Sequence, residues 1–382
     1  MILLGLFFLI QSLCAEPPLP AKPPEQVKIL LERSAQEALL EVKGPYYIFN
    51  PKDGTRITSG LLGKRFLVYA TPEGIKWGET FLDIHQISVV PRSEGSSLLV
   101  NGIQYDGAIS IYAKEGEIHI VNELLIEDYV QSRLAQEFSA PLPLEALCAV
   151  AILARTSAYY YAKNNTSLWQ LDAEEIDYSG SFRRSPGSFL ERIVRATKGL
   201  ILVHTAHGKK EPFPGTWTEH SAGKTAAFSA IFRKESPFPS VSIETPYALN
   251  NRKESSWFFS ISKEKLAKYC MVKKLERIET FIDPTSKKSY AVRIVGEKNR
   301  DFSFHNFQKL LGKTAIQSND FVVETNDQDI FIHGYGGGDG VGLCLYSACL
   351  MAKNGENALD ILNKFFPGAS LQNLSSKMLS AK

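Results

Sequence analysis

Between Val27 and His119 apolar and polar residues alternate in short runs. Ile29, Ala38 to Val42, Tyr46 to Phe49, Phe66 to Tyr69, Ile87 to Val90, Leu98 to Val100 and Ile109 to Tyr112 are separated by turn-forming groups such as Lys43-Gly44-Pro45, Pro51-Lys52-Asp53-Gly54, Pro72-Glu73-Gly74 and Lys114-Glu115-Gly116. A period of two sends successive side chains to opposite faces, so these runs predict the strands of a β-rich lobe. The lobe carries no evident chemistry of its own.

The period changes after Val121. A short helix is expected over Glu123 to Leu134. Past Pro141 and Pro143 comes the strongest helical pattern in the chain, Leu144 to Ala162, with Pro143 suited to its first turn and Ala, Leu and Glu filling it. At 3.6 residues per turn, Leu144, Leu147, Cys148, Ala151, Arg155 and Ala158 fall on one face, which reads as the buried one. The Arg155 guanidinium within it requires a carboxylate, carbonyl or substrate partner, because an unpaired buried charge is strongly unfavourable.

Further on, a loop-rich stretch from Asn164 to Ser188 precedes a helix over Phe189 to Lys198, closed by Gly199. A strand over Leu200 to His204 is expected to pair with a segment near Phe213 to Thr218 across the turn His207-Gly208-Lys209. A helix over Lys263 to Tyr269, strands over Ser289 to Ile294 and Asp329 to His333, a glycine loop and a helix over Val341 to Lys353 complete the pattern. The fold class is α+β, a β-rich N-terminal lobe followed by a mixed helix and strand lobe.

Charge removes one class of function. The 43 basic and 41 acidic residues leave a formal +2, and no dense Lys/Arg stripe is present, so nucleic acid is not an expected partner. At the start, Ile2 to Ile10 is apolar but too short to cross a bilayer of ~30 Å. With the small and polar residues up to Ala15 it reads as an export signal over 1–15, followed by a Pro-rich linker over 16–26, although no Lys or Arg precedes the apolar run. The expected location is therefore the periplasm or cell envelope, with membrane contact only through that signal. Cys148, Cys270, Cys344 and Cys349 are scattered, with no C-x-x-C and no His at ligand spacing, so no zinc site is expected. Cys148 reads as a small buried hydrophobe, and any disulfide pairing is open.

Three places could hold chemistry. Glu137 stands between a helix and the connector Phe138-Ser139-Ala140-Pro141. Desolvation beside Phe138 and Leu142 would raise its pKa toward what a general acid needs, while an ordinary surface glutamate is the competing reading. The stretch from Trp217 to Thr225 places His220, Ser221, Gly223, Lys224 and Thr225 in a loop that suits close ligand approach, without the elbow of a serine hydrolase. The run from Gly334 to Gly342, with Gly338, Asp339 and Gly340 at its centre, mimics a phosphate loop. It lacks the Lys-Ser or Lys-Thr pair and the following βαβ units, so a tight backbone crossing or a sugar-lined groove is the better reading.

Taken in order, several blocks resemble the stage II sporulation protein D (SpoIID/LytB) family. Asn122 to Tyr129, Glu137, Pro143 to Leu147 and Ala154-Arg155-Thr156 are similar to its "N-x-L-x-L-E-x-Y-L", its Glu-Met-Pro and its "P-L-E-A-L-K-A-Q-A-V-A-A-R-T". Ala196 to Leu200, His220 to Thr225 and Gly338 to Gly355 are similar to its "A-T-x-G", "S-x-G-G-x-T" and "G-H-G-V-G-M-S-Q" blocks. The resemblance spans about 27–368. It implies a β-rich lobe over 27–120, a catalytic core over 121–370 with a glycan-binding groove, and a tail over 371–382. It also implies a lytic transglycosylase of peptidoglycan with Glu137 as the single acid and base. Arg155, His220, Ser221, Gly223, Lys224, Thr225, Gly338, Asp339 and Gly340 would then bind substrate, and the partners would be glycan strands and a wall amidase. The alternative it leaves open is a non-catalytic glycan binder that recruits or enhances such an amidase. Phe138 stands where the family has Met, Ser139 and Ala140 lengthen the connector, Ala222 replaces a glycine, and Asp339, Cys344 and Leu345 replace His, Ser and Gln. No cofactor or metal is carried over, since His220 has no neighbouring Cys in sequence.

Overall fold

The computed structural model describes residues 25–138, 142–165, 167–181, 188–206, 208–233 and 241–374. The stretch expected to be an export signal, most of the Pro-rich stretch after it and the connector residues Ser139 to Pro141 lie outside them.

Alternation in the first lobe becomes two packed sheets. One runs in the order Leu171–Asp172, Gln26–Ala35, Glu117–Leu125, Ala108–Lys114, Gln86–Pro91, Tyr46–Phe49 and Arg56–Gly60. The other runs Ile103–Tyr105, Ser97–Val100, Glu37–Lys43, Lys64–Thr71, Gly74–Trp77 and Glu79–Leu82. Their inward residues, among them Ile29, Leu40, Ile48, Trp77, Ile87 and Ile111, are buried in one core. This is the two-layer solution that half-apolar sheets require.

Glu117–Leu125 corrects the expected helix start. Its residues up to Glu123 pair on both sides, with Gln26–Ala35 and with Ala108–Lys114, and Leu124 and Leu125 pair with Val27 and Gln26, so ladder hydrogen bonds override the helix propensity of all three. The chain turns helical only at Ile126, and α1 spans Ile126–Glu137. Asn122 is fully buried and donates to the carbonyls of Asp106 and Ala108, which pins the hairpin that feeds this helix.

The predicted long helix forms as α2, Leu144–Asn164. Leu147, Ala151, Arg155 and Ala158 lie on its buried side as expected, whereas Leu144 at the first turn is exposed and Cys148 is only half buried. Leu200–Ala206 is tied to α2 by Thr156, whose hydroxyl accepts from Leu202 N–H at 2.9 Å. This strand pairs with Lys209–Glu211 and Ala369–Asn373, not with the segment near Phe213 to Thr218. The helix predicted from Val341 begins later, at Leu345, because Leu343–Cys344 is a strand beside Trp217–Thr218. Cys148, Cys270, Cys344 and Cys349 are all free thiols.

A second core lies between Trp257 and Ile332. It holds the sheet Ser256–Ser262, Asp329–Tyr335 and Phe321–Thr325, the sheet Arg277–Ile282, Ser289–Val295 and Arg300–Ser303, and the helices Lys263–Tyr269 and Phe304–Leu311. Its own apolar centre, with Leu266, Val292, Phe307 and Ile330 fully buried, makes it a distinct packing unit, called here the 256–335 unit.

Candidate functional site

Glu137 is the last residue of α1, and its side chain is 38% exposed. The expected desolvation is therefore absent from the chain by itself. One turn back, Arg133 places a guanidinium nitrogen 3.5 Å from Glu137 Oε2. That guanidinium is itself largely buried, donates to Ile176 O and lies 5.7 Å from the centre of the Trp217 ring. The Arg133–Trp217 contact brings the end of α1 to the edge of the loop from Trp217 to Thr225.

That loop and the glycine run are one structure. His220 and Gly337 exchange both backbone hydrogen bonds at 3.0 Å, and Ala226 N–H donates to Gly340 O at 2.8 Å. Thr218 Oγ1 donates to Gly337 O and accepts from Gly340 N–H. The glycines are there because two backbones cross at contact distance. A Cβ on Gly336 would lie 2.3 Å from His220 O, and one on Gly342 would lie 2.2 Å from Thr216 O. The tight-crossing reading of the glycine run is the one the geometry supports.

The crossing changes the roles expected for several residues. Arg155 is 1% exposed and meets the Glu127 carboxylate with two bonds, of 2.9 and 2.8 Å. Its remaining donors reach Ala151 O, Leu200 O, Val194 O and Thr197 Oγ1, so it locks α1 to α2 and offers nothing to a ligand. Ser221 is fully buried, with its hydroxyl 2.7 Å from Thr245 Oγ1 and its N–H on Cys344 Sγ. Thr225 is buried too, and its hydroxyl accepts from Ile243 N–H. Gly223, at φ 113°, backs onto Leu249. Arg155 joins the two helices, while Ser221, Thr225 and Gly223 hold the loop in shape, and all four are corrected from substrate contacts to scaffold.

His220 is nearly buried and packs its ring 4.7 Å from Tyr346. Its Nδ1 accepts from Ala222 N–H at 3.1 Å, so a neutral ring carries its proton on Nε2. Nε2 is sealed from water, with Asn251 nearby but no hydrogen bond in good geometry. Burial, reinforced by the charges of Lys288 and Arg252, outweighs that neighbour and holds the imidazole below its usual pKa. Lys224 pairs with Glu244 at 2.9 Å and stays partly exposed. Gly338 and Gly340 take positive φ within the crossing. Asp339 accepts from Val341 N–H at 3.0 Å and lies 3.4 Å from His305 Nε2.

Sequence reasoning passed over Arg133, whose i,i+4 spacing to Glu137 was a readable signal. It also passed over Glu219, an exposed carboxylate lying against Gly337, and Tyr346, whose N–H donates to Glu219 O. A small cleft behind the crossing, lined by Pro214, Thr216, Val341, Phe365 and Phe366 among others, contains neither Glu137 nor His220.

Residues 114–204, which carry Glu127, Arg133, Glu137 and Arg155, match the family model SpoIID, described as Stage II sporulation protein. Stage II sporulation protein D of Bacillus subtilis is 23% identical over 302 residues, 75% of this chain and 84% of that protein. The chain is thus similar to SpoIID proteins, through its 114–204 segment and, more distantly, over most of its length. The family-model match ends before the loop at Trp217 and the glycine run. An uncharacterized protein of Chlamydia pneumoniae is 37% identical over 158 residues, 41% of this chain, and one of Chlamydia muridarum is 35% identical over 197 residues, 51% of this chain. The aligned parts span 57% and 65% of those two relatives.

Proposed function

We infer that this protein is an exported lytic transglycosylase that cuts peptidoglycan strands between N-acetylmuramic acid and N-acetylglucosamine. The observation that carries the reading is Glu137: a solvent-reachable carboxyl group at the end of a helix whose start is locked in place, paired with the arginine that packs on Trp217, inside the segment that matches the SpoIID model.

In this reading protonated Glu137 donates to the glycosidic oxygen as the bond to C1 breaks. The resulting carboxylate then takes the proton of the muramic acid C6 hydroxyl, whose oxygen bonds to C1 and closes a 1,6-anhydro ring. Glu137 ends as it began, no water is consumed, and one carboxyl group does the work that hydrolysing glycosidases divide between two. Arg133 holds the Glu137 carboxyl group in an ion pair at 3.5 Å, which substrate must displace before the first step. An i,i+4 pair of this kind contributes only about 0.3–0.5 kcal/mol, so a bound sugar can displace it. Partial exposure of Glu137 leaves the substrate itself to supply the dry surroundings an acid needs.

The same Arg133 contact favours the second reading, a non-catalytic glycan binder that recruits or enhances a wall amidase. Incubation of purified glycan strands, with and without stem peptides, followed by mass analysis for anhydro-muropeptides separates the two. Anhydro products from the wild-type protein support the enzyme. Strand binding without products supports the binder.

A further inference from the structure

We propose that Lys288, Asp320 and Arg252 form a buried clamp through which the 256–335 unit sets the shape of the loop from His220 to Gly223, making that unit a positioning element of the candidate site. Lys288 stands immediately before Ser289–Val295, and its side chain is 2% exposed. Its ammonium group donates to Ser221 O at 2.8 Å and to Asp320 Oδ2 at 3.0 Å. Arg252 grips the same carboxylate with two bonds of 2.8 Å and donates to Ala222 O at 2.6 Å. Two cations thus capture the carbonyls of two consecutive loop residues, and one carboxylate between them offsets part of their charge.

The backbone of that loop is held in a conformation it would not favour by itself. Ala222 sits at φ 53°, a left-handed conformation that side-chain-bearing residues avoid, and its N–H is the donor that fixes the His220 tautomer. The clamp reaches the glycine run as well. A Cβ on Gly340 would lie 2.6 Å from Lys288 Cδ, and the segment before Asp320 pairs along the same run, with Gly338 N–H on Gln317 O and Asn319 Nδ2 on Asp339 O. Lys288 therefore lies under both strands of the crossing. Burial pushes its ammonium below the ordinary lysine pKa, while hydrogen bonds from Arg252 and Lys288 overcome burial to hold Asp320 below the usual carboxylate range. The group is a desolvated ionic network whose removal is felt where it points, at the loop.

The test is amide hydrogen exchange of the full chain, wild type against Lys288→Met, which keeps the unbranched shape and most of the length of the side chain and removes its charge. Exchange in peptides covering 217–226 and 336–345 is expected to rise about tenfold while α2 is unchanged, the loss expected for one charge-assisted hydrogen bond. Unchanged loop exchange, or an equal rise throughout the protein, would overturn the clamp. Should Lys288→Met not fold, Arg252→Gln, at the more exposed end of the network, gives the same decision on the 217–226 peptides. The clamp's link to function rests on the glycan-site reading, and there the expected result is weaker binding of glycan strands by about the same factor. A wild-type protein that binds no glycan would defeat that reading and leave the exchange result standing.

Discussion

Helix α1 carries a carboxylate near each end, Glu127 and Glu137, and the two are in opposite surroundings. Glu127, in the first turn, makes a two-bond pair with a fully buried arginine from α2. Glu137, in the last turn, is half open to solvent and meets a cation at 3.5 Å. Both fall in blocks that resemble the same family signature, yet one is architecture and the other is available for chemistry. The loop crossing repeats the division. Ser221, Thr225, Gly223 and the glycines are engaged inside the protein, whereas Glu219, Lys224 and Asp339 keep polar atoms within reach of solvent. A motif residue is thus as often the support of a site as its working surface, and only burial and hydrogen-bond partners tell which.

Five substitutions or conditions probe that division. Glu127→Ala leaves Arg155 as an unpaired buried cation and is expected to destabilise the fold by about 3–5 kcal/mol, read as a lowered denaturant midpoint. Gly336→Ala forces a methyl group against the His220 carbonyl at a positive-φ position, with an expected loss of about 3 kcal/mol in the same unfolding experiment. Arg133→Met removes the bond to Ile176 O and the cation on Trp217 together with a weak ion pair, for an expected loss of about 1–2 kcal/mol, still below that of Glu127→Ala on the same helix. Ala222→Gly runs the other way. Release of the left-handed strain is partly cancelled by the freer unfolded chain, which leaves a gain of about 0.5–1 kcal/mol.

The last is a pH effect. His220 has a folded pKa below its unfolded value of about 6.5, so the unfolded chain binds the proton more readily. Its contribution to stability is present above about pH 6.5 and is lost as pH falls toward the folded pKa. Thermal midpoints should therefore decline on acidification below that point, and His220→Asn should flatten part of the decline.

Much of the fold was legible because it rests on local patterns. Alternation located Tyr46–Phe49, Ala38 to Val42 and Ile87 to Val90, and helical spacing located α2 and Lys263–Tyr269. What escaped depends on partners distant in sequence. Leu124 and Leu125 read as helix until Val27 and Gln26 of a strand distant in sequence pair with them, and Lys209–Glu211 pairs where Phe213 to Thr218 was expected. Arg155 could be predicted to need a partner, but Glu127 is 28 residues away. Lys288, Asp320 and Arg252 share no local pattern at all, so their meeting is visible only in three dimensions. The site divides in the same manner: ordered blocks drew attention to Glu137, while Arg133, Glu219 and Tyr346 became visible through their contacts.

The most direct test is a comparison of two carboxylates in one assay. Purified glycan strands are digested with wild type, Glu137→Gln and Glu219→Gln, and 1,6-anhydro ends are counted by mass spectrometry. Single-carboxyl catalysis predicts that Glu137→Gln loses about 10²–10⁴-fold in anhydro ends, while Glu219→Gln stays within about tenfold of wild type. Anhydro ends at the wild-type level from Glu137→Gln, or their loss only in Glu219→Gln, would contradict it.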